Sequence, residues 1–326
     1  MGISHLAITA AHPAVDVVGV ADASLFITSI LKKHTAFDVY TDYKKMIRQT
    51  HPDAVIVSVP TKLHEEIVEF LLINNIHVFV EKPFCMNVQK GLALQQLAKE
   101  KDLVNQVGYH NRFVGTFEEC KKIIEGGYIG QLYHFDASAY GPVVTKKNNK
   151  NWRNNPSEGG GCLMDYASHV IDLIHYLIGP IKKVQGAQLE SIFSKTVEDA
   201  VYGLLQTEND VQGTLSVSWS DETFRKMSTS ITVIGSKGKI IADATEMQVY
   251  FKTTDCPKGY TKGWNHKNIT DVMEPVNFYL RGEEYSAQID YFIESIQTHR
   301  RKTKNSFEDA LHTDKVIQEI KSLQLA

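Results

Sequence analysis

Residues 54–83 read "AVIVSVPTKLHEEIVEFLLINNIHVFVEKP": an apolar run, a proline turn, an amphipathic segment, and a second apolar run that ends in another proline turn. Short, near-continuous runs of Val and Ile are the pattern of strands buried on both faces, and a helix between two of them makes a parallel crossover. The alternation continues in both directions. Upstream, Ser4 to Ala11 predicts a short helix, His12 and Pro13 a turn, and Val15 to Ala21 a buried strand that stops at Asp22. "YKKMIRQT" (43–50) predicts a further helix. Downstream, "VQKGLALQQLAKEK" (88–101) predicts a helix and "LVNQVGYH" (103–110) a strand. Residues 1–111 therefore read as a doubly wound, Rossmann-like α/β domain.

After "FEECKKIIEGGYIG" (117–130) the texture changes to longer alternating strands: "QLYHFDASAY", "AVYGLLQTEND", "VQGTLSVSW" and "MSTSITVIG", the last followed by a "GSKGK" turn at 235–239 that suits a hairpin. Helices are expected at Leu163 to Ile178, near Tyr285–His299 and at Ser306–Leu323. Residues 112–326 read as an α+β domain with a large, mostly antiparallel sheet.

The chain has 326 residues, with 43% hydrophobic and 22% charged content, which suits two globular domains. A formal charge of -3 gives no electrostatic footprint for nucleic acid or an anionic membrane surface. Cys85, Cys120, Cys162 and Cys256 are widely spaced and form no CxxC pair, so free thiols and a cytoplasmic location are expected rather than structural zinc. No apolar run approaches the ~18 residues of a membrane span.

Ligands of open parallel sheets bind at the carboxyl ends of the strands. Asp22 ends one predicted strand about twenty residues after Gly2, the spacing from a phosphate-binding turn to a ribose-binding carboxylate. Its charge would repel the phosphate of NADP and Ala23 supplies no cation, so NAD is favoured; an N-cap aspartate is the alternative. Lys82 ends another strand, as either a solvated lysine or a catalytic one. In the predicted helix from Leu163, the apolar stripe Leu163, Tyr166, Val170, Ile174 and Leu177 leaves Asp165, His169, Asp172 and Tyr176 on the other side. That side is either solvated or faces an active site, and the "GGG" before it would let backbone approach a ligand. The polar loop before it holds Asn148, Asn149, Asn151, Trp152 and Arg153, which could bind hydroxyls, stack on a ring, contact a phosphate or be solvated.

"PTKLHEEIVEFLLINNIHVFVEKPF", "GYHNRF", "GGGCLMDYASHVIDLIHYLIG" and "SFEDALHTDKVIQEI" together resemble, in order and spacing, the Gfo/Idh/MocA family of nicotinamide-dependent oxidoreductases. The resemblance implies that Lys82 lies beside the nicotinamide and holds the substrate hydroxyl, with Glu81 near the cofactor ribose. It implies that Asp165 orients the sugar and that His169 removes the hydroxyl proton. Pro60, Thr61 and His64 match the loop that lines the dinucleotide, and Asp22 the ribose carboxylate. Substrates implied are sugars, polyols and nucleotide sugars, with a nucleotide sugar preferred, and a homodimer or homotetramer through the open face of the second sheet. No metal is needed. A metal-dependent isomerase or lyase using Asp165 and His169 lacks a third ligand in any recognisable spacing.

The family begins with a strand and a glycine-rich turn, of which only the last glycine, Gly2, is matched. The expectation is that the first strand and turn are missing, through a late start or in a truncated, non-catalytic relative that binds sugar or acts as a scaffold without NAD.

Overall fold

The computed structural model describes residues 1–146, 152–300 and 303–324. Helix α1 (Gly2–Ala11) leads to the short strand β1 (Val20–Ala21), then α2 (Leu25–His34), β2 (Val39–Tyr40), α3 (Tyr43–Thr50), β3 (Ala54–Val57), α4 (His64–Ile73), β4 (His77–Val80), α5 (Val88–Glu100) and β5 (Asn105–Val107). Helix starts follow side-chain capping: Ser24, Asp42 and Asn87 each accept a backbone N–H in the first turn of α2, α3 and α5.

Strands β3, β4 and β5 form one parallel sheet with β4 in the centre. The alternation of β4 explains its apolar sequence. Val78 and Val80 enter a core with Val68, Leu71 and Leu72 of α4 and Leu94 and Ala98 of α5, while Phe79 points to the other face against Ile8 of α1. Both faces are covered, as expected of a doubly wound sheet. The expected buried strand over Val15–Ala21 is shorter and wetter than its sequence suggested. Only Val20 and Ala21 form a ladder, in parallel with Val39 and Tyr40, and both are half-buried. Among the described residues β1 has a partner on one side only, and this two-stranded sheet makes no ladder with β3.

The second part opens with α6 (Gly115–Glu125) and β6 (Leu132–Tyr140), followed by α7 (Ser168–Leu177), β7 (Ile181–Glu190), β8 (Ala200–Thr207), β9 (Gln212–Ser218), β10 (Ser228–Gly235), β11 (Gly238–Asp243), β12 (Glu246–Phe251), β13 (Gly263–Asn268) and α8 (Ile269–Val272). The eight strands form one sheet in the order β13-β12-β11-β10-β6-β9-β8-β7, antiparallel except for the β6–β9 pair. Ser236 and Lys237 form the two-residue hairpin loop between β10 and β11. One sheet face packs Phe135, Leu215, Val233 and Val249 against Phe117 of α6 and Val170 and Ile174 of α7. The other face exposes Tyr202, Leu204, Tyr250 and Trp264.

The last two helices join the two parts. Ile289 and Phe292 of α9 (Glu283–Gln297) pack with Phe79 beneath the first sheet. Helix α10 (Phe307–Leu323) starts in a Ser306/Asp309 capping box, sends Phe307 and Leu311 into the α4–α5 core, and sends Val316 and Ile320 into the core of the large sheet. The carboxyl end of β4 is thereby held against the start of α7.

Candidate active site

Strand β4 ends at Val80, and Glu81 and Lys82 follow before the cis peptide to Pro83. The Lys82 Nζ donates to Asp165 Oδ1 at 2.7 Å and to the Asp165 backbone carbonyl at 2.8 Å. Arg153 Nε donates to the second oxygen, Oδ2, at 2.9 Å. Both cations thus converge on one carboxylate that is only 8% exposed. Burial works to raise the Asp165 carboxyl, but the Lys82 and Arg153 charges and their hydrogen bonds outweigh it and hold it below the ordinary range.

The polar face of the helix is not solvated: Asp165, His169 and Asp172 are all buried. A π-helical turn at Leu163–Ala167 precedes α7, so a regular α spacing does not run through the segment. Asp165 and His169 face the Lys82 centre. Asp172 turns elsewhere, into a bidentate pair with Arg112 at 2.9 and 2.7 Å, and Tyr176 lies under the Arg112 and Lys121 cations. His169 is 4% exposed, and its Nδ1 is buried without a partner. Burial, with Lys82 and His110 nearby, pushes its pKa well below 6.5, so the ring is neutral at neutral pH.

The glycines before the helix approach the chain itself rather than open space. A Cβ on Gly160 would meet the Arg153 carbonyl at 2.2 Å, and one on Gly161, where φ is +111°, would meet Glu198 Oε1 at 2.3 Å. They seat the 152–158 segment beside Asp165. Trp152 is 37% exposed with the Arg153 guanidinium 4.7 Å above its ring, and Glu158 pairs with Lys62 at 2.7 Å. Asn148, Asn149 and Asn151 lie outside the described residues.

The remaining expected residues lie around the carboxyl ends of β1, β3 and β4. Gly2 opens α1 so close to the end of β3 that a Cβ would stand 2.8 Å from Ser58 Oγ, and no acidic residue occupies the first turn of α1. Asp22 follows β1; its Oδ1 accepts the Ser24 N–H at 2.8 Å, while Ser24 itself caps α2. Pro60 precedes the turn that holds Thr61, which is buried and would touch a Cβ on Gly159 at 3.0 Å. His64 is buried with Nδ1 and Nε2 each 3.0 Å from the carbonyls of Pro83 and Val59. It ties the two proline loops together, and burial lowers its pKa.

Sequence reasoning missed three contributors. His5 of α1 pairs with Glu81 Oε1 at 2.6 Å. Burial works to raise Glu81, but the His5 hydrogen bond and charge, with Lys82 and His110, bring it below its ordinary value. His110 stands edge-on to His169 with centroids 4.8 Å apart and stacks on Tyr285 of α9 at 4.7 Å. The histidine at 110 and the tyrosine at 285 are visible in sequence, but no local spacing joins residues so far apart. Among the described residues no cluster of three or more metal-ligating side chains is present, and no helix is long and apolar enough to cross a membrane. An open cavity of about 500 Å³ lined by Arg48, His51, Asp53 and His77 sits at the amino ends of β3 and β4, the end opposite Lys82.

Residues 1–109 match the family described as "Oxidoreductase family, NAD-binding Rossmann fold", and residues 117–241 match the GFO/IDH/MocA C-terminal domain. An uncharacterised oxidoreductase of Schizosaccharomyces pombe is 33% identical over 141 residues, 43% of this chain and 38% of that protein. The scyllo-inositol 2-dehydrogenase (NAD(+)) of Bacillus subtilis is 28% identical over 195 residues, 58% of this chain and 54% of that protein. The matched stretches therefore span well under two thirds of these relatives. A solved levoglucosan dehydrogenase, in complex with NADH and levoglucosan, superposes with a TM-score of 0.87 at 20% identity, covering 99% of this chain and 92% of that one, which establishes a shared fold.

Proposed function

We propose that this chain, which belongs to the Gfo/Idh/MocA family of oxidoreductases, interconverts a secondary hydroxyl of a sugar, polyol or nucleotide sugar with the ketone, using NAD. The observation that carries the reading is the Lys82 Nζ contact to Asp165 at 2.7 Å, which joins a strand end of the first domain to the start of α7 beside His169. Residues 1–111 would hold the cofactor and 112–326 the substrate, with α9 and α10 bracing both.

The residues present fit a dinucleotide. Asp22 follows β1 as a carboxylate for ribose hydroxyls, the first turn of α1 is free of acids and suited to a phosphate, and Glu81 and Lys82 end the central strand. Thr61 is packed against Gly159, and His64 sets the loops on which Pro60 and Lys82 stand. Bound NAD supplies the hydride acceptor in oxidation and the donor in reduction.

The chain's own residues do the proton and charge work. Lys82 holds the substrate oxygen and stabilises alkoxide character as the proton leaves. His169 takes that proton; Nδ1 is sealed, so Nε2 is the atom that meets substrate. Asp165 fixes the Lys82 ammonium and, with Arg153, orients neighbouring hydroxyls, while Trp152 offers an apolar face for a sugar ring. The exposed Tyr202 and Leu204 face is proposed to bury in a homodimer or homotetramer.

The test is a fluorescence titration with NADH, followed by NAD reduction over a panel of polyols, hexoses and nucleotide sugars. Cofactor binding with sugar-dependent reduction that disappears in Lys82→Met supports the reading. Absence of NADH binding refutes it and leaves a sugar-binding relative without redox chemistry.

A further inference from the structure

His110 is an imidazole of the centre whose ring makes no hydrogen bond among the described residues. It is half-buried, whereas His169 beside it is almost sealed. Its ring is fixed on both sides, edge-on to His169 with an interplanar angle of 72° and stacked on Tyr285 at 17°. The Arg281 guanidinium lies 5.6 Å from the centroid of the Tyr285 ring. Among the described residues neither ring nitrogen of His110 makes a hydrogen bond, and neither is among the fully buried, unpartnered atoms. Buried polar groups in folded proteins are paired, and leaving one unpaired costs free energy. A ring immobilised by aromatic contacts, with nitrogens that are neither hydrogen-bonded nor fully sealed, is built to meet something that enters.

We propose that His110 is a substrate-contacting residue that hydrogen-bonds a hydroxyl on the carbon next to the reacting one, and so selects vicinal diols. This rests on the sugar or polyol reading of the site. Three features set the chemistry. The His110 and His169 rings are 4.8 Å apart, so two adjacent hydroxyls can meet one ring each. The desolvated ring is neutral, its pKa pushed down to about 4 by burial, with Lys82 and Arg281 adding to the effect against the opposing Glu81 charge. A neutral imidazole offers one donor and one acceptor; a hydroxyl can use either, whereas a carboxylate or phosphate anion can use only the donor. A rigid partner also loses little entropy on binding.

The experiment is calorimetric binding of myo-inositol, D-glucose and their monodeoxy analogues to the full chain, with and without NADH, in wild type, His110→Phe and His110→Gln. Phe keeps the stack on Tyr285 and removes the polar edge; Gln returns a donor and an acceptor. The wild type is expected to bind at least one parent sugar about 10-fold or more tighter than its monodeoxy analogue, because a site built for a hydroxyl rejects the compound lacking it. His110→Phe is expected to reduce that ratio to about 2-fold or less with unchanged NADH affinity, and His110→Gln to restore part of it. Full discrimination retained in His110→Phe overturns the proposal, as does a wild type that binds parent and deoxy sugars equally. His110-dependent sugar binding without any NAD reduction would refute the redox reading and leave this inference standing. A wild type that binds no polyol at all overturns both.

Discussion

Lys82 and Asp165 should be strongly coupled, and the coupling can be measured. Their side chains are 14% and 9% exposed and meet at 2.7 Å, so water screens the pair little, and breaking such a pair strands a charge at a cost of ~3–5 kcal/mol. Asp165→Asn leaves Lys82 the backbone carbonyl and an amide oxygen, which places the loss at the low end, about 3 kcal/mol. Arg153 loses its carboxylate too, but its side chain is 35% exposed, and a pair that wet contributes about 1 kcal/mol or less. Lys82→Met keeps the aliphatic stem and leaves Asp165 its Arg153 contact, so the expected loss is about 2 kcal/mol. In the double variant the pair is gone and Lys82 is no longer stranded. The loss should therefore be about 3 kcal/mol rather than the additive 5, a coupling of about 2 kcal/mol. Urea unfolding of the four proteins at neutral pH, followed by tryptophan fluorescence, reads it; additivity within about 0.5 kcal/mol refutes the buried-pair argument. The acid limb gives an independent check. Because the folded Asp165 carboxyl lies below its ordinary value, its contribution is complete above the unfolded carboxylate pKa and is lost as pH falls through the folded one. Asp165→Asn should flatten that part of the stability profile.

Replacing His169 with Asn should lower kcat about 10²–10⁴-fold with NADH affinity unchanged. In the wild type the acid limb of sugar oxidation should lie well below pH 6.5, since burial lowers the His169 pKa; a limb near 6.5 would count against His169 as the base. Asp22→Asn keeps an oxygen for the Ser24 N–H and removes the charge. It should weaken NADH binding about 10-fold and narrow the preference over NADPH, by loss of a charged hydrogen bond to ribose, and an unchanged preference in paired titrations would rule out the ribose role. Leu204 is 54% exposed on the open sheet face, and Leu204→Asp should convert the proposed oligomer to monomer by light scattering; a wild-type monomer mass would sink the proposed interface.

Much of the fold was legible because its signals are local. The Val and Ile runs of β3 and β4, with α4 between them, show period and length in a window shorter than thirty residues, and Ser236–Lys237 turns a hairpin as its glycine-flanked sequence implies. Strand β1 was read too long because burial of Val15–Gly19 depends on neighbours, not on their own hydropathy. Strand β13 escaped notice for a related reason: "GWNHKN" places polar residues on both faces of an edge strand. At the site, the residue types on the helix were legible, but a strict i, i+4, i+7 face grouped Asp172 with Asp165. The π turn at 163–167 breaks that spacing, and Arg112, sixty residues upstream, takes Asp172 away. The contacts of His5 with Glu81 and of His110 with Tyr285 span 76 and 175 residues of chain, and periodicity carries no information at that range.

The balance of charge at the centre follows from these long-range contacts. Lys82 and Arg153 bring two cations, and Asp165 and Glu81 bring two carboxylates held ionised by them and by His5. Two imidazoles then sit at a nearly neutral point where burial keeps both uncharged. In the proposed reaction a neutral His169 would be ready to accept a proton, whereas donating one would first require charging a desolvated ring beside Lys82, a cost that would fall on the reduction direction. The same arrangement explains why Asp165 receives two cations. If Lys82 were unpaired it would disfavour the imidazolium through its full charge. Paired at 2.7 Å, it would still polarise a substrate oxygen in the proposed reaction, while its field on His169 is partly cancelled. The ion triad of Lys82, Asp165 and Arg153 thus tunes the histidine as well as holding the two domains at their junction.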